Sequence, residues 1–62
     1  MYKTVKQSID ELPERITSIR LHKANGVWIG IFSRDDAIKK YGDLKYSGGY
    51  SESFTEISIW IY

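Results

Sequence analysis

The side chains able to perform acid–base or metal chemistry in this 62-residue chain are few and widely separated. His22 is the single histidine, and the chain contains no cysteine. A zinc site requires several His or Cys ligands at suitable spacing, so the sequence predicts no metal. General-base catalysis by His22 would need an orienting carboxylate, and Glu56 is the one that the predicted strands bring nearest. We expect neither catalytic residues nor a cofactor, and hence no enzymatic activity.

The paired carboxylates have a structural explanation. Asp10 and Glu11 follow a predicted helix start at Ser8, and Asp35 and Asp36 lie in the first turn of a second predicted helix. Acidic side chains are favoured at helix starts because the helix dipole and the free backbone N–H groups attract negative charge. We therefore assign these carboxylates no catalytic role.

The aromatic residues carry the stronger functional signal. Two stripes of alternating apolar residues, with aromatic residues between them, are Val27, Ile29 and Ile31, and Ile57, Ile59 and Ile61. Successive side chains on a strand point to opposite faces, so aliphatic residues can line one face of a sheet and aromatic residues the other. The predicted second face carries Arg20, His22, Trp28, Phe32, Phe54, Trp60 and Tyr62. Either the first helix and the N-terminal segment bury this face, or it is a surface for a partner.

Two classes of partner suit an aromatic sheet face. Trp, Tyr and Arg dominate protein-binding hot spots, whereas aromatic rings among cations stack unpaired bases. Nine basic and eight acidic residues leave few cations for phosphate contacts, so we expect another protein, with single-stranded nucleic acid as the alternative. A homodimer through strand edges is left open. The residues predicted to bind the partner are Arg20, His22, Trp28, Tyr46, Tyr50 and Trp60.

Local patterns predict one α+β domain in the order α-β-β-α-β-β. Its antiparallel sheet would have three or four strands, with one main helix on the isoleucine face and a short helix near the N-terminus. Ser8 and Glu11 fit a capping box for the short helix. Ser33 is predicted to cap the main helix, Arg34–Tyr41, and Gly42 to end it in the left-handed conformation.

Loop lengths predict how the strands pair. A three-residue Ala24–Gly26 loop keeps one face aliphatic. That register pairs Leu21 with Ile29, Ile19 with Ile31, and His22 with Trp28. Gly48-Gly49 is predicted to turn a second hairpin, in which Lys45 faces Glu52 and Tyr46 and Tyr50 flank the turn.

The stretch Trp28–Asp43 contains the words Ile-Phe-Ser, Asp-Ala-Ile-Lys-Lys and Tyr-Gly-Asp. It resembles small proteins encoded by bacteriophages and prophages, which likewise run from a Leu-Pro-Glu-Arg-Ile-type segment into a hairpin, a short helix and a closing strand. The resemblance implies an accessory protein that binds and modulates or inhibits a host protein, and it carries over no functional residues. No apolar run reaches the length of a membrane span, so we expect no membrane partner and a location in the bacterial host cytoplasm.

Overall fold

The predicted order of elements is confirmed in the computed structural model, which describes residues 2–62. The helices are α1 (Val5–Asp10) and α2 (Arg34–Tyr41), and the strands are β1 (Ser18–Lys23), β2 (Trp28–Ser33), β3 (Tyr46–Ser51) and β4 (Glu56–Ile61). The strands form one sheet in the order β2-β1-β4-β3. Both outer pairs are antiparallel and the central β1–β4 pair is parallel, so the α+β class is confirmed with a mixed, mostly antiparallel sheet. The parallel pair arises because the connection through α2 carries the chain from the β2 edge of the sheet to the β3 edge, between the two hairpins.

Helix α1 begins earlier than the predicted start at Ser8. Thr4 is the N-cap: the Gln7 backbone N–H donates to Thr4 Oγ1 at 3.2 Å, and the Thr4 backbone N–H donates to Gln7 Oε1 at 2.8 Å. Ser8 is instead buried within the helix. Two capping-box patterns overlap in this segment, and the earlier one is used because it places Val5 and Ile9 on the buried side of the helix.

Helix α2 begins as predicted but ends differently. The Asp36 backbone N–H donates to Ser33 Oγ at 3.2 Å, which confirms the Ser33 cap. The predicted left-handed stop is wrong, because Gly42 has a φ of −58°. Glycine is favoured here for a steric reason, since a Cβ at Gly42 would collide with the carbonyl oxygen of Ile38.

Both helices pack on the same side of the sheet. The N-terminal helix joins α2 there, so the alternative in which the first helix covers the aromatic face is wrong. Apolar burial on this side supplies most of the stabilisation. The buried apolar residues are Val5, Ile9, Ile16, Ile19, Leu21, Ala37, Ile59 and Ile61.

The β1–β2 hairpin contains a bulge that the sequence did not reveal. His22 pairs with Trp28 as predicted, but the register shifts between Leu21 and His22. Gly30 then lies opposite Leu21, so the predicted Leu21–Ile29 pair is wrong. Gly30 has a φ of 156°, a value that residues with a side chain rarely adopt, and it allows one extra residue to enter the strand.

For the rest of β2, the bulge reverses which side chains face the helices and which face outward. Phe32, not Ile31, lies opposite Ile19, so the predicted Ile19–Ile31 pair is wrong as well. Phe32 consequently faces the helices, where its ring meets that of Tyr41 at 5.4 Å. Ile31 moves to the opposite side of the sheet, where it lies opposite Arg20.

The second hairpin turns later than predicted. Gly48 and Gly49 lie within β3, opposite Trp60 and Ile59, and neither has a positive φ. The connection is formed by residues 52–55, with the backbone N–H groups of residues 52 and 53 both donating to the Glu56 carbonyl. The Gly-Gly pattern therefore lies inside a strand and does not mark a turn. The predicted Lys45–Glu52 pair is also wrong, since Lys45 pairs with Thr4.

Candidate functional site

The side of the sheet opposite the helices, here called the outer face, carries three rows of side chains that run across the strands. The aromatic row consists of Trp28, His22 and Trp60. The middle row consists of Ile31, Arg20, Ser58 and Tyr50. The third row consists of Ser33, Ser18 and Glu56. Because both described helices pack on the other side, this face is open to a partner.

The aromatic row is a packed array of rings. The ring of His22 stacks on Trp60 with centroids 4.7 Å apart and planes 14° apart. On its other side His22 meets Trp28 edge to face, with centroids 5.0 Å apart. Such contacts each contribute about 0.5–1.5 kcal/mol beyond the burial of surface. The row is thus held in place before any partner arrives, while Trp28 remains 48% exposed.

Arg20 joins the aromatic row to the charged end of the face. Its guanidinium carbon lies 5.2 Å from the centre of the Trp28 ring, and Nη1 lies 3.4 Å from Glu56 Oε1. Glu56 therefore pairs with Arg20, and the rings against His22 are those of the two tryptophans. This arrangement gives His22 a packing role between the two tryptophan rings.

The middle row is buried at Ser58 and most exposed at its two ends. Ser58 is only 1% exposed and donates a hydrogen bond to Glu52 Oε1 at 2.7 Å. Tyr50 at one end is 64% exposed, and Ile31 at the other end is 55% exposed. Arg20 and the buried Ser58 thus lie between two large side chains that a partner can contact.

Tyr46 is the predicted binding residue that does not belong to this face. The structure places Arg20, His22, Trp28, Tyr50 and Trp60 together on the outer face. Tyr46 lies on the helix side and packs against the buried core. A register shift between Tyr46 and Gly48 separates it from Tyr50, because one extra residue reverses the alternation.

Two other aromatic residues predicted for the face, Phe32 and Phe54, lie elsewhere, whereas Tyr62 continues the alternation of β4 beyond the buried Ile61 and is exposed. Phe32 packs on the helix side, as described above. Phe54 lies in the turn after β3, with the Arg15 guanidinium 4.9 Å from its ring. Tyr62 follows β4, and Lys45 Nζ lies 4.7 Å from the centre of its ring.

Sequence reasoning missed Ile31 as a member of the face. The available signal was Gly30, because a glycine inside a strand pattern often marks a bulge. A bulge at that point reverses the alternation, which would have exchanged the predicted positions of Ile31 and Phe32.

A shallow cavity of about 450 Å³ lies beside α1, lined by Tyr2, Lys3, Gln7, Asp10 and Glu11. Lys3 Nζ donates to Glu11 Oε1 at 2.8 Å, and this hydrogen bond raises the pKa of Lys3. Its charged groups are exposed and already paired, Lys3 with Glu11 and Asp10 with Lys6. The outer face, with its packed rings and the half-exposed Trp28 and Ile31, remains the stronger candidate.

Two features of the described residues bear on other kinds of site. Across residues 2–62, no group of three or more His, Cys, Asp or Glu side chains is placed to hold a metal ion. In the same part of the chain, no helix combines the length and the apolar character needed to cross a membrane.

Comparison with known proteins gives no relative: no family model, curated protein or solved structure matches this chain. The chemistry of the outer face is therefore the basis for assigning a function.

Proposed function

We propose that this protein is a non-enzymatic module that binds another protein through the outer face. The observation that carries the proposal is the row of Trp28, His22 and Trp60 on a sheet face that the helices leave open. Tryptophan and arginine are the residues that most often dominate binding energy at protein interfaces. Since the rings are already packed against one another, little side-chain entropy is lost when a partner covers them.

The charges of the face favour a protein over a nucleic acid. Arg20 supplies the guanidinium of the three rows, and this group forms an ion pair with Glu56. Glu52 adds a second carboxylate beside the middle row through its hydrogen bond with Ser58. Nucleic-acid affinity depends largely on cations that neutralise phosphates, and these carboxylates oppose it.

We further propose that the partner is a host protein of a bacteriophage, and that binding modulates or inhibits it. The support is the resemblance of Trp28–Asp43 to small phage-encoded proteins. This segment spans β2 and α2 and includes Trp28 and Ile31 of the outer face. Binding of this kind would be stoichiometric and would take place in the bacterial cytoplasm.

A pull-down from bacterial lysate tests the class of partner. Tagged protein is incubated with lysate that has or has not been treated with nuclease, and retained material is identified by mass spectrometry. We expect one protein at near-equal stoichiometry in both samples. Material that disappears on nuclease treatment would instead identify single-stranded nucleic acid as the ligand.

Single substitutions then test the face. Trp28→Ala and Tyr50→Ala are expected to weaken affinity for the captured protein at least about tenfold each, as hot-spot truncations do. Phe54→Ala is the matched control, because Phe54 is an exposed aromatic residue in the turn after β3. Circular dichroism establishes that each variant is folded. Full affinity of folded Trp28→Ala and Tyr50→Ala proteins would refute the placement.

A further inference from the structure

Strand β2 forms one edge of the sheet, and its backbone has unpaired groups there. The Ser18 N–H at the start of β1 donates to the Thr55 carbonyl, and the Ala24 N–H just past its end donates to the Ile61 carbonyl, so even-numbered residues bond toward β4. The Lys23 N–H donates to the Val27 carbonyl, so odd-numbered residues bond toward β2. Backbone bonding alternates along a strand.

This alternation fixes the direction of the backbone groups of β2. Phe32 pairs with Ile19, an odd-numbered residue, and therefore bonds to β1. Ile31, the residue before it, directs its N–H and carbonyl away from the sheet. An edge with outward groups of this kind can template another strand.

The β2 edge is the more receptive of the two sheet edges. Its residues from Trp28 to Ser33 include no charged residue and no proline, the two devices that most often block edge pairing. At the other edge, the N-terminal segment already covers the start of β3, where the Tyr46 N–H donates to the Lys3 carbonyl and Thr4 pairs with Lys45. The rest of β3 is mostly glycine and serine, which offer an added strand little apolar contact.

The two sides of the β2 edge differ in chemistry. On the outer face, Trp28 and Ile31 are both about half exposed and present apolar surface. On the helix side, Lys40 Nζ lies 5.4 Å from the centre of the Phe32 ring, and Lys39 precedes it in the last turn of α2. A strand laid along this edge would meet apolar groups on one side and cations on the other.

We propose that the β2 edge receives an extended segment of the partner protein as an additional strand. Alternate residues of that segment are apolar and pack beside Ile31 and Trp28, and the intervening residues are acidic and face Lys40. The inference rests on the proposed function, since the added strand extends the outer face to which the partner binds. Backbone hydrogen bonds supply the affinity, and the side chains flanking the edge supply the specificity.

A second copy of this chain suits the edge less well. Pairing two β2 strands across a twofold axis would bring two uncharged strands together, which the backbone permits. It would also bring the Lys39 and Lys40 side chains of both protomers to one side of the joined sheet, where like charges repel. An acidic partner segment would instead be attracted to Lys39 and Lys40.

Two synthetic probes test the specificity. Fluorescein-labelled peptides of about six residues, the length of a typical strand, alternate valine with glutamate or valine with lysine. Fluorescence anisotropy is expected to give about fivefold tighter binding of the Val/Glu peptide, and Lys40→Glu is expected to reverse the order. No binding of the Val/Glu peptide up to about 1 mM, or an unchanged order in folded Lys40→Glu protein, would overturn the proposal.

Two substitutions at one position test the backbone contact. Ile31→Pro removes the outward N–H at an edge position, where proline is tolerated, and is expected to weaken Val/Glu binding at least about tenfold. Ile31→Val keeps the N–H and most of the apolar surface, so its affinity should stay within about twofold. Equal affinity of folded Ile31→Pro and Ile31→Val proteins would overturn the proposal. So would a wild-type dimer in sedimentation that Ile31→Pro dissociates, because a second copy would then occupy the edge.

Affinities of the variants for the captured partner distinguish failure of this inference from failure of the proposed function. Tyr50 lies on β3, at the far end of the middle row from the β2 edge. If Tyr50→Ala weakens partner binding and Ile31→Pro does not, the face is correct and the edge is wrong. If Tyr50→Ala, Trp28→Ala and Ile31→Pro all leave binding unchanged, the proposed face itself is wrong.

Discussion

Replacing Arg34 with methionine is expected to lower the free energy of unfolding by about 3 kcal/mol, because one guanidinium satisfies several backbone carbonyls. Nη1 donates to the carbonyls of Pro13 at 2.7 Å and Ile16 at 3.1 Å, and Nη2 donates to those of Ile9 at 2.8 Å and Leu12 at 3.3 Å. These carbonyls belong to the end of α1 and the loop that leads to β1. Carbonyls at a helix end have no partner within the helix, so Arg34 connects the start of α2 to the end of α1.

The magnitude follows from the number of bonds and their exposure. A hydrogen bond that involves a charged group contributes about 1.5–3 kcal/mol when it is well buried. The bond to Pro13 is exposed and the others are partly buried, so water replaces part of what is lost. Removal of a cation from the first turn of α2 also relieves an unfavourable interaction with the helix dipole, by about 0.3–1 kcal/mol. The resulting loss of about 3 kcal/mol is large for a chain whose total stability is about 3–9 kcal/mol at the usual value per residue.

Urea unfolding measures this loss. With a slope of about 1 kcal/mol per molar urea for so small a domain, Arg34→Met should lower the midpoint by about 3 M in both tryptophan fluorescence and far-UV circular dichroism. Arg34→Lys should lose about half as much, because an ammonium has three donors and no planar fork. Arg15→Met is the control, since the Arg15 guanidinium contacts only the exposed Phe54 ring among the described aromatic and hydrogen-bonding partners, and should cost less than about 1 kcal/mol. A loss below about 1 kcal/mol for Arg34→Met would refute the reasoning.

Three substitutions test the local geometry by urea unfolding. Thr4→Ala removes the hydroxyl that accepts from the Gln7 N–H and should cost about 1 kcal/mol; an unchanged midpoint would contradict the cap. Gly30→Ala should cost about 1–3 kcal/mol, because its φ is 156° and a Cβ would lie 3.2 Å from the Phe32 ring; a neutral result would argue against the bulge. Gly48→Ala should be neutral or stabilise by up to about 1 kcal/mol, since a Cβ there meets nothing within 4 Å; destabilisation would argue that Gly48 belongs to a turn.

Local patterns in the sequence were sufficient for the elements but not for all of their ends. The Ser33 cap and the bounds of α2 follow from side-chain chemistry within one turn, and the structure confirms them. The α1 start failed because Thr4 and Ser8 both head plausible capping boxes, and the choice between them depends on burial of Val5 and Ile9 against distant strands. Tertiary packing therefore decided what local chemistry left ambiguous.

Strand alternation predicted the faces correctly wherever no register shift intervenes. The parallel β1–β4 pair has no register shift, and the predicted outward positions of Arg20, His22 and Trp60 are those observed. Both outer strands contain a shift, and each shift reverses the side of the residues on one side of it. Ile31 and Tyr46 were misplaced for this reason, since a period of two cannot reveal where an extra residue enters.

The position of the two shifts explains how a small sheet maintains both a packed core and an aromatic outer face. In β2, a strand without the bulge would direct Ile31 toward the helices and Phe32 outward, and the contact between Phe32 and Tyr41 would be lost. In β3, the shift lets Tyr46 pack on the core while Tyr50 remains outward. The regular central strands thus hold Arg20, His22 and Trp60 in fixed positions, whereas the irregular outer strands set which large side chains flank them. Under the proposed function, substitutions in the central strands should weaken binding to any partner. Substitutions at Ile31 or Tyr50 should change which partner is preferred.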